Sequence, residues 1–187
     1  MGKDDYYTKI DSEVLETNPY WEYKRDHYSK KDGAVAEYYY YNKTSGSVMV
    51  VPILRDGRLV LINQYRYLGG KLSLEFPAGG VGKDEVPGEA AKRELEEETG
   101  IAADDLMKVS EFEPDAGVGK NRIHVFLATD LEEGGTPKTE EFENIEIILR
   151  RPDEFEEMIR RGEIWDGPTL SAWALVRGFV MQRFSTP

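Results

Sequence analysis

Residues 79–101 read Gly-Gly-Val-Gly-Lys-Asp-Glu-Val-Pro-Gly-Glu-Ala-Ala-Lys-Arg-Glu-Leu-Glu-Glu-Glu-Thr-Gly-Ile. A helix over residues 88–99 would place Glu94, Glu97 and Glu98 at positions i, i+3 and i+4, so that their carboxylates converge on one face. Like charges at this spacing destabilise a helix unless something neutralises them. Oxygen ligands of this kind suit a hard divalent cation such as Mg²⁺ or Mn²⁺. The stretch therefore predicts a helix that carries a metal site.

An acidic run is most often just the solvated face of a helix, and residues 94–98 alone favour that interpretation. The spacing of the flanking residues favours the metal site instead. Gly79 is followed after five residues by Glu85, and after seven more by Arg-Glu-Leu-x-Glu-Glu-x-Gly-Ile at 93–101. This pattern is the Nudix box, matched at every fixed position, and the chain resembles the Nudix hydrolases. The resemblance implies cleavage of a nucleoside diphosphate that is linked to some other group.

The resemblance also implies a fold class, an α/β/α sandwich with a mixed central sheet plus a small N-terminal β-rich extension. Strand-like stretches in the sequence occupy residues 34–41, 48–54, 59–65, 72–76, 107–112, 123–129 and 145–149. Arg55-Asp56-Gly57-Arg58 predicts a hairpin between the second and third of these. Two further helices are predicted, one capped by Asp153 and the other over residues 169–183. This order of strands and helices agrees with an α/β fold.

Two domains are predicted, an N-terminal extension over residues 1–45 and a Nudix hydrolase domain over residues 46–187. Residues 1–33 are polar and aromatic, with turn signals, and predict no more than short strands. In the pyrophosphatase branch of the family the N-terminal strands often build a dimer with shared sites. The resemblance therefore implies a homodimer in which the extension also contacts substrate.

Composition limits the classes of function that remain open. The 187 residues carry a formal net charge of −12, which repels nucleic acid polymers but leaves small phosphorylated substrates possible once metal ions are bound. The chain has no cysteine, and its two histidines, His27 and His124, are too scattered for a histidine metal site. No apolar run approaches the ~20 residues of a membrane span, and the start lacks a secretory signal. A cytoplasmic protein that does not contact the membrane is expected.

The resemblance assigns roles to residues of the box. Glu94 and Glu98 are the expected metal ligands, and the Ala78 carbonyl oxygen is another. Glu97 is expected to act in catalysis beside them. Arg93 is expected off the metal face, where it orients an acidic side chain of the box by a salt bridge.

A general base is still needed near the attacking water, and the acidic loop at 139–145 supplies candidates. Such a loop is more often simply solvated. ADP-ribose pyrophosphatases, however, carry their base in a similar loop before a strand and a helix. By that resemblance Glu141 is the base, and Glu143 reaches a metal ion when the loop closes.

Residues before the box point to one branch of the family. Residues 75–79 resemble the Glu-x-Pro-Ala-Gly of ADP-ribose and nucleotide-sugar pyrophosphatases, so Glu75 and Gly79 are expected at the substrate. Gln64-Tyr65-Arg66 resembles the element of the same branch whose arginine contacts substrate. Gly79 is also expected to allow a sharp backbone turn before the helix.

The expected reaction is hydrolysis of ADP-ribose or a related nucleoside diphosphate sugar to a nucleoside monophosphate and a sugar phosphate. Mg²⁺ is the expected cofactor, with Mn²⁺ as a possible substitute.

Several alternatives stay open at this point. Pro114 and Gly117 are separated by two residues where relatives have them adjacent, so hexose nucleotides such as ADP-glucose or GDP-mannose compete with ADP-ribose. Trp21, Tyr38 and Tyr40 either stack a nucleobase or fill a core or dimer seam. A housecleaning hydrolase of nucleoside triphosphates or dinucleoside polyphosphates, and a non-catalytic nucleotide-sugar sensor, are the rival functions.

Overall fold

A computed structural model describes residues 6–43, 45–138 and 144–184. The strands are β1 (Tyr7–Thr17), β2 (Glu22–Lys30), β3 (Val35–Asn42), β4 (Ser47–Pro52), β5 (Leu59–Arg66), β6 (Lys71–Glu75), β7 (Ala78–Gly80), β8 (Ala102–Ala103), β9 (Met107–Phe112), β10 (Gly119–Lys120), β11 (Ile123–Ala128), β12 (Leu131–Glu132) and β13 (Glu146–Arg150). The helices are α1 (Pro87–Thr99), α2 (Pro152–Arg160) and α3 (Gly167–Phe184). None of these helices is long and apolar enough to cross a membrane.

The chain forms two compact units. The first contains the chain up to Gly46 together with residues 113–122, and the second contains residues 47–112 and the chain from Ile123 onward. The segment 113–122, which follows the box in sequence, thus belongs to the first unit. The predicted roles of the N-terminal extension in dimerisation and substrate binding remain predictions.

The first unit is a four-stranded sheet in the order β1-β2-β3-β10. The expectation of short strands before residue 34 is wrong, because β1 has 11 residues and β2 has 9. Charged residues of these strands form cross-strand pairs. His27 lies between Asp11 (2.6 Å) and Glu37 (3.1 Å), and Arg25 lies 2.6 Å from Glu13. The hydrogen bond with Asp11 raises the pKa of His27.

The second unit is built on a mixed sheet in the order β7-β4-β11-β9. Strands β4 and β11 run parallel, whereas β7 and β9 join antiparallel at the two edges. An antiparallel sheet β13-β5-β6 and a short pair β12-β8 complete the unit. The hairpin predicted between β4 and β5 forms at its turn, where Ile53 and Leu59 make an antiparallel bridge and the Leu54 amide donates to the Arg58 carbonyl oxygen (2.9 Å), but the two strands then continue in different sheets. Both edges of β4 are already paired with β7 and β11, so no edge is left for β5.

Two apolar clusters cover opposite faces of strand β4, whose side chains alternate between them. Val48 and Val50 face the cluster that contains Ala91 and Leu95 of α1. Met49 and Val51 face the cluster that receives α2 and α3, where the largest apolar members from the helices are Phe155, Trp173, Val176 and Val180. Helices therefore lie on both faces of the sheet, as an α/β/α sandwich requires.

The ends of the helices are set by local capping. Helix α1 begins with Pro87 at its first position and ends at Gly100, whose φ of 68° is left-handed, close to the predicted range. The prediction that Asp153 caps α2 is wrong. Arg151 is the N-cap residue, and its amide donates to the Glu154 carboxylate (2.9 Å). Helix α3 begins two residues earlier than expected, because the Asp166 carboxylate accepts the Thr169 amide (2.8 Å) and caps it.

Candidate active site

The acidic helix α1 holds its predicted metal face against strand β7. Ala91 and Leu95, on the adjoining side of the helix, are buried in the core. Glu98 is also buried, at 5 % exposure, and its Oε2 accepts the Ala78 amide N–H at 2.9 Å. Burying a carboxylate is costly unless it is hydrogen-bonded or paired with a cation, so this contact fixes one of its oxygens. The structure thus brings two predicted metal ligands, Ala78 and Glu98, together.

Glu94 lies against Gly79, the other predicted residue of β7. A Cβ atom at Gly79 would lie 2.0 Å from the Glu94 carboxyl carbon. The predicted reason for this glycine is wrong: the residue lies within strand β7 and has no positive φ. What requires glycine here is the close approach of the Glu94 carboxylate to the backbone.

Arg93 joins the glutamates of the box to one another. Its guanidinium donates to Glu85 (2.9 and 3.1 Å), Glu94 (2.8 Å), Glu97 (2.9 Å) and the Gly80 carbonyl oxygen (2.9 Å). These carboxylates, Glu85 first, raise the pKa of Arg93. In turn, Arg93 lowers the pKa of Glu85. Arg93 thus forms the expected salt bridges with acidic side chains of the box, and its guanidinium reaches Glu94 and Glu97 on the metal face.

Arg66 and Glu75 form a second ion pair, along hairpin β5–β6. Glu75 is 1 % exposed, and its Oε1 accepts the Arg66 Nε–H at 2.8 Å while its Oε2 accepts from Arg66 Nη2. Gln64 approaches the same carboxylate (3.4 Å). Because both oxygens of Glu75 are engaged within the protein, the group of this pair that remains free to meet substrate is the guanidinium of Arg66.

Asp166 and Thr169 are polar residues near this pair to which the sequence assigned no role. Burial and the charge of Glu75 raise the pKa of Asp166. Thr169 is fully buried, and its hydroxyl lies 3.4 Å from the Phe76 amide nitrogen. An Asp three residues before a Thr, ahead of an apolar helical stretch, is a capping signal that the sequence already contained.

The predicted aromatic contacts lie in the first unit. Tyr40 is 6 % exposed; its hydroxyl donates to Asp26 (3.1 Å) and the Lys120 ammonium lies 4.9 Å from its ring centroid. Trp21 is 40 % exposed. Both residues line a cavity of about 430 Å³ together with Tyr23, Tyr39, Tyr41 and Val118. This cavity has the size and aromatic lining of a small-ligand site.

The predicted base Glu141 and the predicted ligand Glu143 lie outside the described residues. The chain that leads to them is held at the box helix, because the Lys138 amide donates to the Glu97 carbonyl oxygen at 2.7 Å. The described chain thus reaches the predicted base loop from beside α1.

Comparison with known proteins agrees with this geometry. Residues 43–173 match the family model described as NUDIX domain. The chain belongs to the Nudix family. It is 32 % identical over 133 residues to an ADP-ribose pyrophosphatase of Bacillus subtilis, which covers 70 % of this chain and 71 % of the relative. It is 29 % identical to an ADP-ribose pyrophosphatase of Mycobacterium tuberculosis, over 98 % of this chain and 90 % of the relative.

A solved structure described as an ADP compounds hydrolase shares the fold of this Nudix protein. The TM-score is 0.83 at 23 % identity, and the match covers 96 % of this chain and 97 % of the other. The predicted fold class, a Nudix α/β/α sandwich, is confirmed.

Nudix hydrolases generally need a divalent metal ion, and the residues present fit one. The donors are carboxylate oxygens, which hard cations prefer, and glycine at 79 leaves room for Glu94 beside the backbone. In residues 6–43, 45–138 and 144–184, however, no three acidic or histidine side chains converge as a ready metal site. Arg93 holds Glu94 and Glu97 in this arrangement, so a guanidinium supplies the positive charge that a metal ion would otherwise bring.

Replacement of Gly79 by alanine should weaken metal binding. The added methyl group would displace the Glu94 carboxylate, so we expect an apparent affinity for divalent cations about tenfold lower. The measurement is the rise in unfolding temperature on titration with Mg²⁺ or Mn²⁺. Gly88→Ala in helix α1 is the control, because no atom lies within 4 Å of its added Cβ. If the divalent cation raised the unfolding temperatures of Gly79→Ala and the wild type equally, the placement of Glu94 at the metal would be contradicted.

Proposed function

We propose that this protein hydrolyses the diphosphate of ADP-ribose or a related nucleoside diphosphate sugar, giving a nucleoside monophosphate and a sugar phosphate. The observation that carries the proposal is the packing of the complete box around β7, with Glu98 at the Ala78 amide and Glu94 against Gly79. Similarity to ADP-ribose pyrophosphatases over more than two thirds of the chain supports this branch of the family.

Mg²⁺ is the proposed cofactor, with Mn²⁺ as a substitute. Glu94, Glu98, the carbonyl oxygen of Ala78 and Glu143 are the proposed ligands. A bound divalent ion would neutralise the diphosphate oxygens and lower the pKa of the attacking water. Glu141 is the proposed general base for that water, and Glu97 the proposed catalytic carboxylate beside the metal ligands.

Arg66 is the proposed contact to the substrate diphosphate. Its guanidinium is held through Nε and Nη2 by Glu75, and such a planar fork can present its remaining N–H groups to phosphate oxygens in a fixed direction. Arg93, in contrast, is bonded to three carboxylates and a carbonyl oxygen, and orients the box rather than the substrate. Glu75 and Gly79 are proposed to act at the substrate through Arg66 and Glu94.

The aromatic residues of the first unit are the proposed site for the nucleobase. Trp21 is the better placed of the two predicted contacts, because it is partly exposed, whereas the ring of Tyr40 is buried under Lys120.

A homodimer is proposed, with strand β1 as its interface, because β1 is an edge strand in which every described position is exposed. The proposed location is the cytoplasm, in keeping with a chain that contains no cysteine.

A substrate panel tests the proposed function. We expect Mg²⁺-dependent release of nucleoside monophosphate from ADP-ribose, ADP-glucose or GDP-mannose, and much less turnover of dGTP or diadenosine polyphosphates. Release confined to dGTP or the dinucleotides would make this a housecleaning hydrolase. Tight binding of ADP-ribose without any turnover would make it a sensor. Either result would overturn the proposed reaction.

A further inference from the structure

The hairpin β5–β6, which carries Arg66 and Glu75, ends in a turn that has little packing of its own. Tyr67 is 87 % exposed and Leu68 is 98 % exposed. Arg66 is the last residue of β5, directly before this turn. Its backbone pairs with Lys71 and accepts the Gly70 amide at 2.9 Å, so a movement of the turn would also move Arg66.

Trp165 is a side chain that holds this end. Its indole Nε1–H donates to the Leu72 carbonyl oxygen at 3.1 Å, and the Lys71 ammonium lies 4.4 Å from the centroid of its ring. The outer end of the ring also lies against the turn, since a Cβ at Gly69 would be 2.7 Å from its Cη2 atom. The indole of Trp165 thus contacts the Leu72 carbonyl oxygen, the Lys71 ammonium and Gly69, all on the same hairpin.

Residues that follow Trp165 hold the other end of strand β6. Asp166 accepts the Thr169 amide (2.8 Å) and caps α3, so the first turn of that helix is fixed. The Thr169 hydroxyl in turn accepts from the Phe76 amide, the residue next to Glu75. Ile164, on the other side of Trp165, is buried in the core at 3 % exposure. Residues 164–169 are therefore anchored in the core while they contact β6 near both of its ends.

We propose that Trp165 is a positioning residue for Arg66, and that residues 165–169 act as a clamp that keeps the Arg66–Glu75 pair aligned for substrate binding. The inference rests on the proposed function, in which Arg66 binds the diphosphate. Arg66 reaches back along the hairpin to Glu75, so a shift of the turn moves the guanidinium relative to the carboxylate that orients it. The contacts of Trp165 with Gly69, Lys71 and Leu72 all lie on the hairpin that carries Arg66, so its effect is expected on substrate binding.

The test compares Trp165→Leu with Trp165→Phe on ADP-ribose. Leucine removes the ring and its N–H, and we expect KM to rise about tenfold while kcat stays within about twofold, the signature of lost binding that is equal in ground and transition states. Phenylalanine keeps an aromatic ring near Lys71 but lacks the indole N–H and the Cη2 contact with Gly69, so its KM should lie between those of the wild type and Trp165→Leu. Equal KM values for wild type and Trp165→Leu, with both proteins folded, would overturn the inference.

Gly69→Ala disturbs the contact between Gly69 and the Trp165 ring from the side of the hairpin and leaves the tryptophan itself unchanged. Its methyl group must push the indole away, so KM should rise as in Trp165→Leu. Gly167→Ala is the matched control, because its added Cβ meets no atom within 4 Å and it lies in the same segment. A rise in KM for the control equal to that for Gly69→Ala would overturn the inference.

A double-mutant cycle separates positioning from general stability. If Trp165 acts through Arg66, Trp165→Leu should raise KM about tenfold in the wild type and have no further effect in the Arg66→Ala background. Additive effects in the double mutant would overturn the role of Trp165 as a positioning residue. A wild type that hydrolyses no diphosphate sugar would instead overturn the proposed function, and the two failures are thereby distinguished.

Discussion

Glu98→Gln should abolish nearly all metal-dependent hydrolysis while leaving the fold intact. The amide oxygen of glutamine can still accept the Ala78 N–H, so the buried hydrogen bond that fixes this side chain survives. The negative charge that would bind the metal ion does not survive. Loss of several kcal/mol of electrostatic stabilisation corresponds to about 10³-fold in kcat. The measurement is kcat for ADP-ribose at saturating Mg²⁺, beside the unfolding temperature of both proteins without metal.

Glu96→Gln is the control for this substitution. It removes the same charge from the same helix, but Glu96 is exposed and its carboxylate forms a surface pair with Lys138 (3.4 Å). We expect its kcat to match the wild type, because exposed pairs contribute little. If Glu98→Gln kept wild-type turnover, the assignment of Glu98 as a metal ligand would be wrong.

Regular periodicity and the box predicted much of the second unit. Helix α1 lies within one residue of its predicted start, because the spacing of Ala91 and Leu95 and the glycine at 100 leave one helical solution. The central strands were also found within one or two residues, since their apolar runs are bounded by turn residues. Where the sequence has a strong local signal, it predicts the element well.

Strand pairing was harder to predict than the strands themselves. The turn at 55–58 has hairpin chemistry, and the Leu54 amide does bond the Arg58 carbonyl oxygen (2.9 Å). The sheets nevertheless separate there, because β11 comes from far along the chain and takes the edge of β4. No local pattern in the sequence reports such a distant partner. The long strands β1 and β2 were missed for a related reason, as their charges are paired across strands.

The sequence predicted the candidate ligands of the site, but not the hydrogen bonds and ion pairs among them. Spacing alone placed Glu94, Glu97 and Glu98 on one helix, yet it could not show which carboxylate meets Ala78 and which meets Arg93. The path of a long guanidinium side chain depends on the acceptors around it, and Glu85 and the Gly80 carbonyl come from outside the helix. Side-chain networks of this kind appear only once the tertiary packing is known.

Arg93→Gln should lower both activity and stability, and a divalent metal should restore the stability. Removing the guanidinium leaves Glu85, Glu94 and Glu97 without a shared cation, and we expect the free energy of unfolding to fall by about 1–2 kcal/mol, a value reduced because Arg93 is 37 % exposed. Because the box glutamates would no longer hold a bound metal ion in the position that the reaction needs, kcat/KM should fall about 10²-fold. Saturating Mg²⁺ should raise the unfolding temperature of the variant more than that of the wild type, because the ion then neutralises the glutamates that Arg93 no longer reaches.

The pH dependence of the same variant gives an independent check. Arg93 lowers the pKa of Glu85, so the stability gained from this pair is present at neutral pH and is lost as the pH falls through the lowered pKa of the folded state. The difference in unfolding free energy between wild type and Arg93→Gln should therefore shrink in acid, below the usual carboxyl range of about pH 4. Lys92→Gln removes a neighbouring charge from the same helix and should show no such convergence. A wild-type advantage that stays constant into acid would mean that Arg93 stabilises the helix by packing, rather than by holding the charged glutamates of the box together.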